Sequence, residues 1–212
     1  MVEWARPGGM HPITEESLRR ALFTGGKYVL PLSVASADDA QCDWHHPETL
    51  DHWPKLYPVL PPLWSGPNAV ADGLVCGGAL EALETGLELG LIGQPGDFDG
   101  RVLLIETSLQ EPPEYVERVL NDLHEHGLLR RVAAVLVGRP RAWTHDKPWP
   151  LHRRAAYVRE QRNRVSDVLE RLAPQAVVVQ GLDLGHTDPQ VVIPIGGRVR
   201  VEPDVERVIV WY

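Results

Sequence analysis

Apolar residues along this chain follow two patterns that alternate between about residue 73 and residue 180. Short, nearly continuous apolar runs predict buried strands, whereas apolar residues recurring every three or four positions predict helices. The predicted strands are residues 73–76, 101–105, 131–138 and 176–180, and the predicted helices are residues 79–89, 112–127 and 151–172. Because a strand, helix, strand order makes neighbouring strands parallel, the pattern predicts an α/β fold with helices against a mainly parallel central sheet.

The spacing of apolar residues also predicts which side of each helix faces the core, as the first and the last helix illustrate. Thr14 is a candidate N-cap of a short helix that would bury Leu18, Ala21 and Leu22 and end at Gly25-Gly26. The helix at 151–172 carries a longer stripe that is expected to face the core, interrupted by Arg162. This stripe consists of Leu151, Ala155, Val158, Val165, Leu169 and Leu172.

The remaining strand signals lie near the two ends of the chain. Residues 28–32 predict a short strand after the first helix. Residues 191–194, 198–202 and 206–212 predict three short antiparallel strands, and the Gly196-Gly197 pair predicts a hairpin between the first two. Residues 1–13 read as an irregular lead-in.

Residues 35–70 interrupt these patterns with three tryptophans and six prolines. Because prolines remove donors and break helices, this stretch predicts an irregular surface excursion, pinned by Trp44, Trp53 and Trp64, with one helical turn at 47–53. Long ordered loops are often functional, so these aromatic residues are expected to form a substrate wall or a packing contact. Asp43, His45, His46 and His52 offer an alternative metal cluster, although their spacing fits no standard zinc pattern.

Composition and charge narrow the class of protein. The 212 residues are 43% apolar with a formal net charge of −8. This charge excludes a role that depends on neutralising nucleic-acid phosphates, and no apolar run approaches the length of a membrane span. The N-terminus has no signal-peptide core, and two cysteines make neither a disulfide framework nor a zinc set. We therefore expect a cytoplasmic protein without a metal or cofactor and without nucleic-acid or membrane partners.

Two predicted strand ends present side chains suited to acid–base chemistry. Glu106 ends the strand at 101–105, and His186 follows the strand at 176–180 in a bend between two glycines and Pro189. A carboxylate can fix the tautomer of an imidazole and stabilise the imidazolium, and such a pair ordinarily activates a serine or a cysteine. The alternative is a strand-to-loop turn whose histidine only satisfies the backbone. Cys76 lies in an apolar strand without a basic neighbour, so we interpret it as a core residue.

In order and spacing, these segments resemble the LD-carboxypeptidase family of serine peptidases, which includes the microcin C self-immunity proteins. Residues 77–80 are similar to its Gly-Gly-x-Leu turn, and residues 100–106 to the strand that carries its catalytic glutamate. Residues 185–187 with 194–196 resemble the segment that carries its catalytic histidine. Further similar positions are Arg118, Leu120, Leu123, Gly127 and Gly138, and the stretch near Asp43-Trp44 is similar to the immunity-protein branch.

The resemblance implies that Glu106 and His186 are two members of a Ser-Glu-His triad, and that the chain is the family's C-terminal, swivelling-type β/β/α domain. Candidate substrate-binding residues are Gly77, Gly78, Trp44 and Thr187. It also implies a metal-free amide hydrolase of the cytoplasm that forms homodimers. Typical substrates are the L-to-D bond of a murein tetrapeptide and a peptidyl- or aminoacyl-nucleotide conjugate.

The family's nucleophile marks where this chain departs from the resemblance. In the family it lies on a Gly-Tyr-Ser-Asp turn of an N-terminal domain, and no serine of this chain is in such an elbow. Ser108 is only two residues beyond Glu106, too near to pair with a histidine that Glu106 orients. We therefore expect residues 1–212 to form the family's C-terminal domain, without the N-terminal domain that carries the nucleophile. It would be inactive alone or active with a separate polypeptide. The alternatives are a non-catalytic module for the same ligands and a metal-dependent hydrolase.

Overall fold

A computed structural model describes residues 9–38, 46, 53–94, 96–144 and 146–212 of the chain. These residues form one eight-stranded sheet, a two-stranded ribbon and four α-helices. The strands are β1 (Lys27–Val29), β2 (Ala35–Ser36), β3 (Tyr57–Pro58), β4 (Leu63–Ser65), β5 (Ala71–Ala79), β6 (Val102–Glu106), β7 (Ala134–Gly138), β8 (Val177–Leu182), β9 (Arg198–Glu202) and β10 (Arg207–Trp211). The helices are α1 (Pro12–Arg19), α2 (Leu80–Glu88), α3 (Pro113–Glu125) and α4 (Leu151–Leu172).

The large sheet has the order β1-β10-β9-β5-β6-β7-β8-β4. The pairs β5–β6, β6–β7 and β7–β8 are parallel, and the outer pairs on both sides are antiparallel. The central strands β6 and β7 are buried at every residue, as their continuous apolar sequence predicts. The predicted mixed α/β fold with a mainly parallel central sheet is confirmed.

Alternate residues of the central strands contribute to two different cores. Leu103, Ile105 and Val135 pack with buried residues of α2, α3 and α4. Their neighbours Val102 and Leu104 face the opposite side, in a core shared with β9 and β10. Because successive strand residues point to opposite faces, the same short apolar run serves both layers and keeps its carboxyl end fixed between them.

The double glycine at Gly77-Gly78 continues strand β5 instead of forming the predicted turn. Gly77 has a φ of +104°, and a Cβ at this position would lie 2.1 Å from the carbonyl oxygen of Leu104 on β6. Such close approach of two strands requires glycine. Helix α2 begins at Leu80, directly after the strand, so the chain reverses without a separate loop.

Helix α1 buries a polar face instead of the predicted apolar one. It begins at Pro12 with His11 as its N-cap, and this cap lies three residues before the predicted N-cap Thr14. Its buried residues are Thr14 and Ser17, whereas Leu22 lies beyond the helix and is 63% exposed. The hydroxyls of Thr14 and Ser17 accept hydrogen bonds from the backbone N–H groups of Gln190 and Val192, which explains their burial.

The strand predicted at residues 191–194 is not formed. The N–H of Val191 donates to the Asp183 carbonyl, and the carbonyl of Val192 accepts from the Tyr212 hydroxyl. These backbone groups therefore have partners outside any strand ladder. The turn at Gly196-Gly197 bonds to Val75 of β5, so the hairpin of this region is instead β9–β10.

The Trp- and Pro-rich excursion contributes an unpredicted edge strand. Residues Leu63–Ser65 form β4, which pairs antiparallel with β8 at the end of the sheet. The helical turn predicted at 47–53 falls almost wholly outside the described residues. Within the described part of the chain, none of the helices combines the length and apolarity that crossing a bilayer requires.

Candidate active site

Glu106 and His186 meet at the carboxyl ends of the central strands. Glu106 is the last residue of β6, and His186 stands four residues beyond the end of β8. Nδ1 of His186 lies 2.8 Å from Oε2 of Glu106. The Glu106 side chain is 8% exposed, whereas that of His186 is 44% exposed. The carboxylate is therefore held in the protein while the imidazole remains accessible.

Two glycines make room for the Glu106 carboxylate. A Cβ on Gly185 would lie 2.7 Å from Glu106 Oε2, and a Cβ on Gly138 would lie 2.9 Å from Glu106 Cβ. Gly185 also has a φ of +97°, which L side chains rarely adopt. Two physical reasons therefore favour glycine directly before the histidine: the backbone conformation and the close contact with the carboxylate.

The hydrogen bond determines the tautomer and the basicity of His186. An ionised carboxylate only accepts, so Nδ1 carries the proton and Nε2 is left with its lone pair. The bond to Glu106 raises the pKa of His186, and this effect outweighs the opposing effects of burial and of the Arg141 guanidinium. Nε2 has no hydrogen-bond partner among the described residues. The arrangement is that of an oriented general base.

Replacing Gly185 by alanine tests whether the close approach is needed. We expect Gly185→Ala to lower the free energy of unfolding by about 1–2 kcal/mol more than Gly196→Ala, because of its overlap with Glu106. Gly196 is the matched control, since its φ is +80° but nothing lies within 4 Å of a Cβ there. Urea denaturation measures both losses. Equal losses would mean that only the backbone conformation matters at Gly185.

The loop that presents His186 is anchored by a buried ion pair that sequence reasoning missed. Nε of Arg139 lies 3.0 Å from Oδ1 of Asp183, and their side chains are 8% and 0% exposed. Asp183 also accepts from the N–H and the hydroxyl of Ser33. The register of β7 with β8 skips Gly181, and Arg139 and Asp183 are the first residues beyond the two strands. The signal in the sequence that could have indicated this ion pair is the position of both residues directly after apolar strands.

A second anchor holds the other side of the same loop. Ala37 and Asp188 exchange two backbone hydrogen bonds of 2.8 Å. The Gln190 side chain donates to the carbonyl of Gly185 at 2.6 Å. The segment from Asp183 to Gln190 is thus fixed on both sides of His186, which limits the freedom of the imidazole.

Comparison with known proteins supplies the family. Residues 72–201, more than half of the chain, match the family described as the LD-carboxypeptidase C-terminal domain. The chain belongs to this family. It is also 30% identical over 132 residues to the probable murein peptide carboxypeptidase of Bacillus subtilis (strain 168), a match that covers 60% of the chain and 36% of that protein.

Solved structures show the same LD-carboxypeptidase fold. The microcin C7 self immunity protein MccF, in complex with aspartyl sulfamoyl adenosine, superposes with a TM-score of 0.72 at 23% identity over 96% of the chain and 57% of MccF. An MccF-like protein from Streptococcus pneumoniae, in complex with AMP, gives a TM-score of 0.77 at 19% identity over 98% of the chain and 60% of that protein. The chain thus spans less than two thirds of the length of each relative. The family resemblance seen in the sequence is confirmed.

The other residues predicted for the site of this LD-carboxypeptidase domain have different placements. Gly78 and Ala79 pair with Ile105 and Glu106, so the double glycine lies beside the end of β6. Thr187 is 3% exposed, and its hydroxyl has no hydrogen-bond partner among the described residues. Trp44 lies outside the described residues. A substrate-binding role for Gly77, Gly78, Trp44 and Thr187 therefore stays a prediction.

All six serines of the chain are among the described residues, and within that part of the chain none bonds to His186. Ser108, the serine nearest in sequence to Glu106, donates its N–H and its hydroxyl to Oε1 of Glu81. Ser166 accepts from the Gln180 side chain. The thiol of Cys76 is no substitute, since burial raises its pKa to about 11.

Most residues of the alternative metal cluster are not described by the structure. Asp43, His45 and His52 lie outside the described residues, and only His46 of that set lies inside. Across 9–38, 46, 53–94, 96–144 and 146–212, no group of three or more His, Cys, Asp or Glu side chains is placed to hold a metal ion. The described residues therefore give the metal hypothesis no support.

Proposed function

We propose that this chain supplies the acid–base half of a serine-type amide hydrolase of the LD-carboxypeptidase family. The observation that carries the proposal is the 2.8 Å hydrogen bond between the buried Glu106 carboxylate and Nδ1 of the accessible His186. His186 is the general base, and Glu106 orients it and stabilises its protonated form. The family membership supports this assignment.

In the proposed reaction, Nε2 of His186 takes the proton of a serine hydroxyl as that oxygen attacks the amide carbonyl. The histidine then returns the proton to the leaving amine, and a water molecule hydrolyses the acyl-enzyme by the same route. All six serines are among the described residues, and none of them forms a hydrogen bond with His186. The attacking serine is therefore proposed to come from a nucleophile domain of the kind the family carries.

Proposed substrates are murein tetrapeptides and peptidyl- or aminoacyl-nucleotide conjugates. The Bacillus subtilis relative is a probable murein peptide carboxypeptidase, and MccF was solved with aspartyl sulfamoyl adenosine. We further propose a cytoplasmic site of action, because the two cysteines make no disulfide framework. The assembly proposed is a homodimer or a complex with the nucleophile domain.

Complementation tests the proposal. The chain is mixed with a separately expressed, folded nucleophile domain from a family member, and hydrolysis of a murein tetrapeptide and of an aspartyl-adenylate conjugate is followed by chromatography. We expect activity from the mixture and none from either component alone. A mixture in which both proteins are folded and associated, yet which hydrolyses neither substrate, would contradict the catalytic role.

A second candidate is a non-catalytic module that binds the same ligands. It is favoured by one observation, that Nε2 of His186 faces no hydroxyl of the described residues. In that case the chain alone binds aspartyl sulfamoyl adenosine with similar affinity before and after Glu106→Gln. The two candidates separate because only the catalytic one gains hydrolysis on complementation.

A further inference from the structure

Glu81 of helix α2 bonds to the chain just beyond the proposed catalytic carboxylate. Its Oε1 accepts two hydrogen bonds from Ser108, one from the backbone N–H at 3.0 Å and one from the hydroxyl at 2.9 Å. Ser108 stands two residues after Glu106, which is the last residue of β6. Hydrogen bonds to an ionised acceptor are roughly twice as strong as neutral ones. A single side chain therefore holds the segment that follows Glu106.

The place of Glu81 in the fold ties Ser108 to the central sheet. Helix α2 begins at Leu80 directly after β5, so no loop separates Glu81 from the sheet. The ladder between β5 and β6 ends with the pair Ala79 and Glu106. Glu106 is thus held by this last backbone pair and, two residues later, by the contact between Glu81 and Ser108. A shift of Ser108 would change the course of the strand end from which the Glu106 side chain projects.

Glu81 is the partner of the only side-chain hydrogen bonds that residues 107–109 form within the described parts of the chain. The hydroxyl of Thr107 has no hydrogen-bond partner there, and Leu109 is 52% exposed. The next side-chain hydrogen bonds along the chain belong to Gln110. The contact with Glu81 is therefore the side-chain anchor nearest to Glu106 where the chain leaves the strand.

Glu81 differs from an ordinary carboxylate at the protein surface. It forms no ion pair with a cation of the described residues, whereas Glu84, on the next turn of α2, pairs with Arg118 and accepts from the Tyr115 hydroxyl. The second oxygen of Glu81, Oε2, is buried and has no hydrogen-bond partner in the same part of the chain. Burying part of a carboxylate without a cation is costly. Neither solvation nor an ion pair therefore explains this side chain, and its bonds with Ser108 are its contribution to the fold.

We propose that Glu81 is a positioning residue for the proposed catalytic pair: by holding Ser108, it fixes the strand end that aims the Glu106 carboxylate at Nδ1 of His186. The inference rests on the proposed function and deepens it, because it adds a residue that acts through Glu106. Of the charged groups near His186, Glu106 and Glu81 raise the pKa of His186, and Arg141 lowers it. The charge of Glu81 and its hold on Ser108 must therefore be separated by experiment.

Four variants separate these two effects by NMR titration of His186 in the chain alone. Glu81→Ala removes the charge and both hydrogen bonds. Glu81→Gln removes only the charge, because its amide oxygen still accepts from Ser108, and Ser108→Ala removes the hydroxyl bond but keeps the charge. Glu84→Ala is the control on the same helix. We expect the pKa of His186 to fall most in Glu81→Ala, to fall less in Glu81→Gln and in Ser108→Ala, and to stay unchanged in Glu84→Ala.

Hydrogen exchange and turnover supply the accompanying readouts. Exchange of the Ser108 N–H should become about tenfold or more faster in Glu81→Ala, because a bond to a charged acceptor is lost, and should be unchanged in Glu84→Ala. In the complemented enzyme, we expect the turnover of Glu81→Ala at high pH, where His186 is neutral, to be about tenfold or more lower with an unchanged KM. Glu81→Gln should keep most of the turnover. Thermal unfolding confirms that each variant is folded.

An unchanged His186 pKa in Glu81→Ala would overturn the inference, and so would equal falls in Glu81→Ala and Glu81→Gln, because the charge alone would then explain them. If Glu81→Ala does not fold, Ser108→Ala decides the question, and an unchanged His186 pKa in that variant overturns the inference. Failure of the proposed function is recognised separately, since complementation then yields no hydrolysis although Glu81→Ala still lowers the His186 pKa. Conversely, hydrolysis with an unchanged His186 in Glu81→Ala removes only the positioning role.

Discussion

Replacing Glu106 by glutamine is expected to lower the turnover of the complemented enzyme by about 10⁴, with little change in substrate affinity. A glutamine can keep the hydrogen bond to Nδ1 of His186, but it removes the negative charge that fixes the tautomer and stabilises the imidazolium. The measurement is the steady-state rate with the nucleophile domain in excess. Glu88→Gln, an exposed carboxylate of α2, is the control and should retain full turnover.

The pH dependence of this reaction follows from the sign of the histidine shift. The general base works only when it is neutral, and the bond to Glu106 raises the pKa of His186 above its ordinary value. Activity is therefore expected at high pH and lost as the pH falls through that raised pKa. A Glu106→Gln enzyme with unchanged turnover at every pH would show that the pair is structural.

Replacing Asp183 by alanine is expected to lower the free energy of unfolding by about 3–5 kcal/mol. The substitution leaves the 8%-exposed Arg139 guanidinium without its counter-ion and removes the acceptor of the Ser33 N–H. Urea denaturation measures the loss. Asp72→Ala is the control, because Asp72 pairs with Arg198 at the surface and its removal strands no buried charge.

The same substitution has a local consequence that separates anchoring from general stability. Asp183 stands three residues before His186, and its carbonyl accepts from Val191 on the far side of the loop. Loss of the ion pair should therefore loosen the loop in conditions where the protein is still folded. Hydrogen exchange at Gly185 and His186 should rise in Asp183→Ala and not in Asp72→Ala. Equal stability losses in the two variants would contradict the anchoring role.

The central strands and two helices could be predicted from the local spacing of apolar residues, because a single spacing is typical of each kind of element. Strand β6 ends at Glu106 as predicted, and α4 spans the predicted residues 151–172. A short run that is apolar at every position and bounded by turn residues is typical of a strand buried on both faces. The juxtaposition of Glu106 with His186 followed from the same rule, since carboxyl ends of parallel strands meet at one edge of a sheet.

The spacing of apolar residues could not predict which polar groups form hydrogen bonds with residues distant in the chain. The buried face of α1 consists of Thr14 and Ser17 because their partners, Gln190 and Val192, lie about 175 residues away in the chain. No periodicity reveals such partners. The missing strand at 191–194 is the other half of the same contact, because its backbone groups are bonded to side chains and loops.

The prediction that the whole apolar stripe of α4 faces the core was wrong for a different physical reason. Spacing predicts which residues share a face of a helix, but it does not say what that face contacts. Val165 and Leu169 pack into the core, whereas Leu151 and Ala155 line a cavity beside Glu106. An apolar stripe can thus pack into the core at one end and line an open cavity at the other. The change falls at Arg162, the residue that interrupts the stripe in the sequence.

The control that Glu106 exerts on His186 is tested by NMR titration of the histidine in the native chain and in Glu106→Gln. We expect a His186 pKa above the ordinary value of about 6.5 in the native chain, and a lower His186 pKa on loss of the carboxylate, because the bond to Glu106 is the main cause of the shift. The same His186 pKa in both proteins would contradict this expectation, since the Glu106 carboxylate would then exert no control over the proposed base.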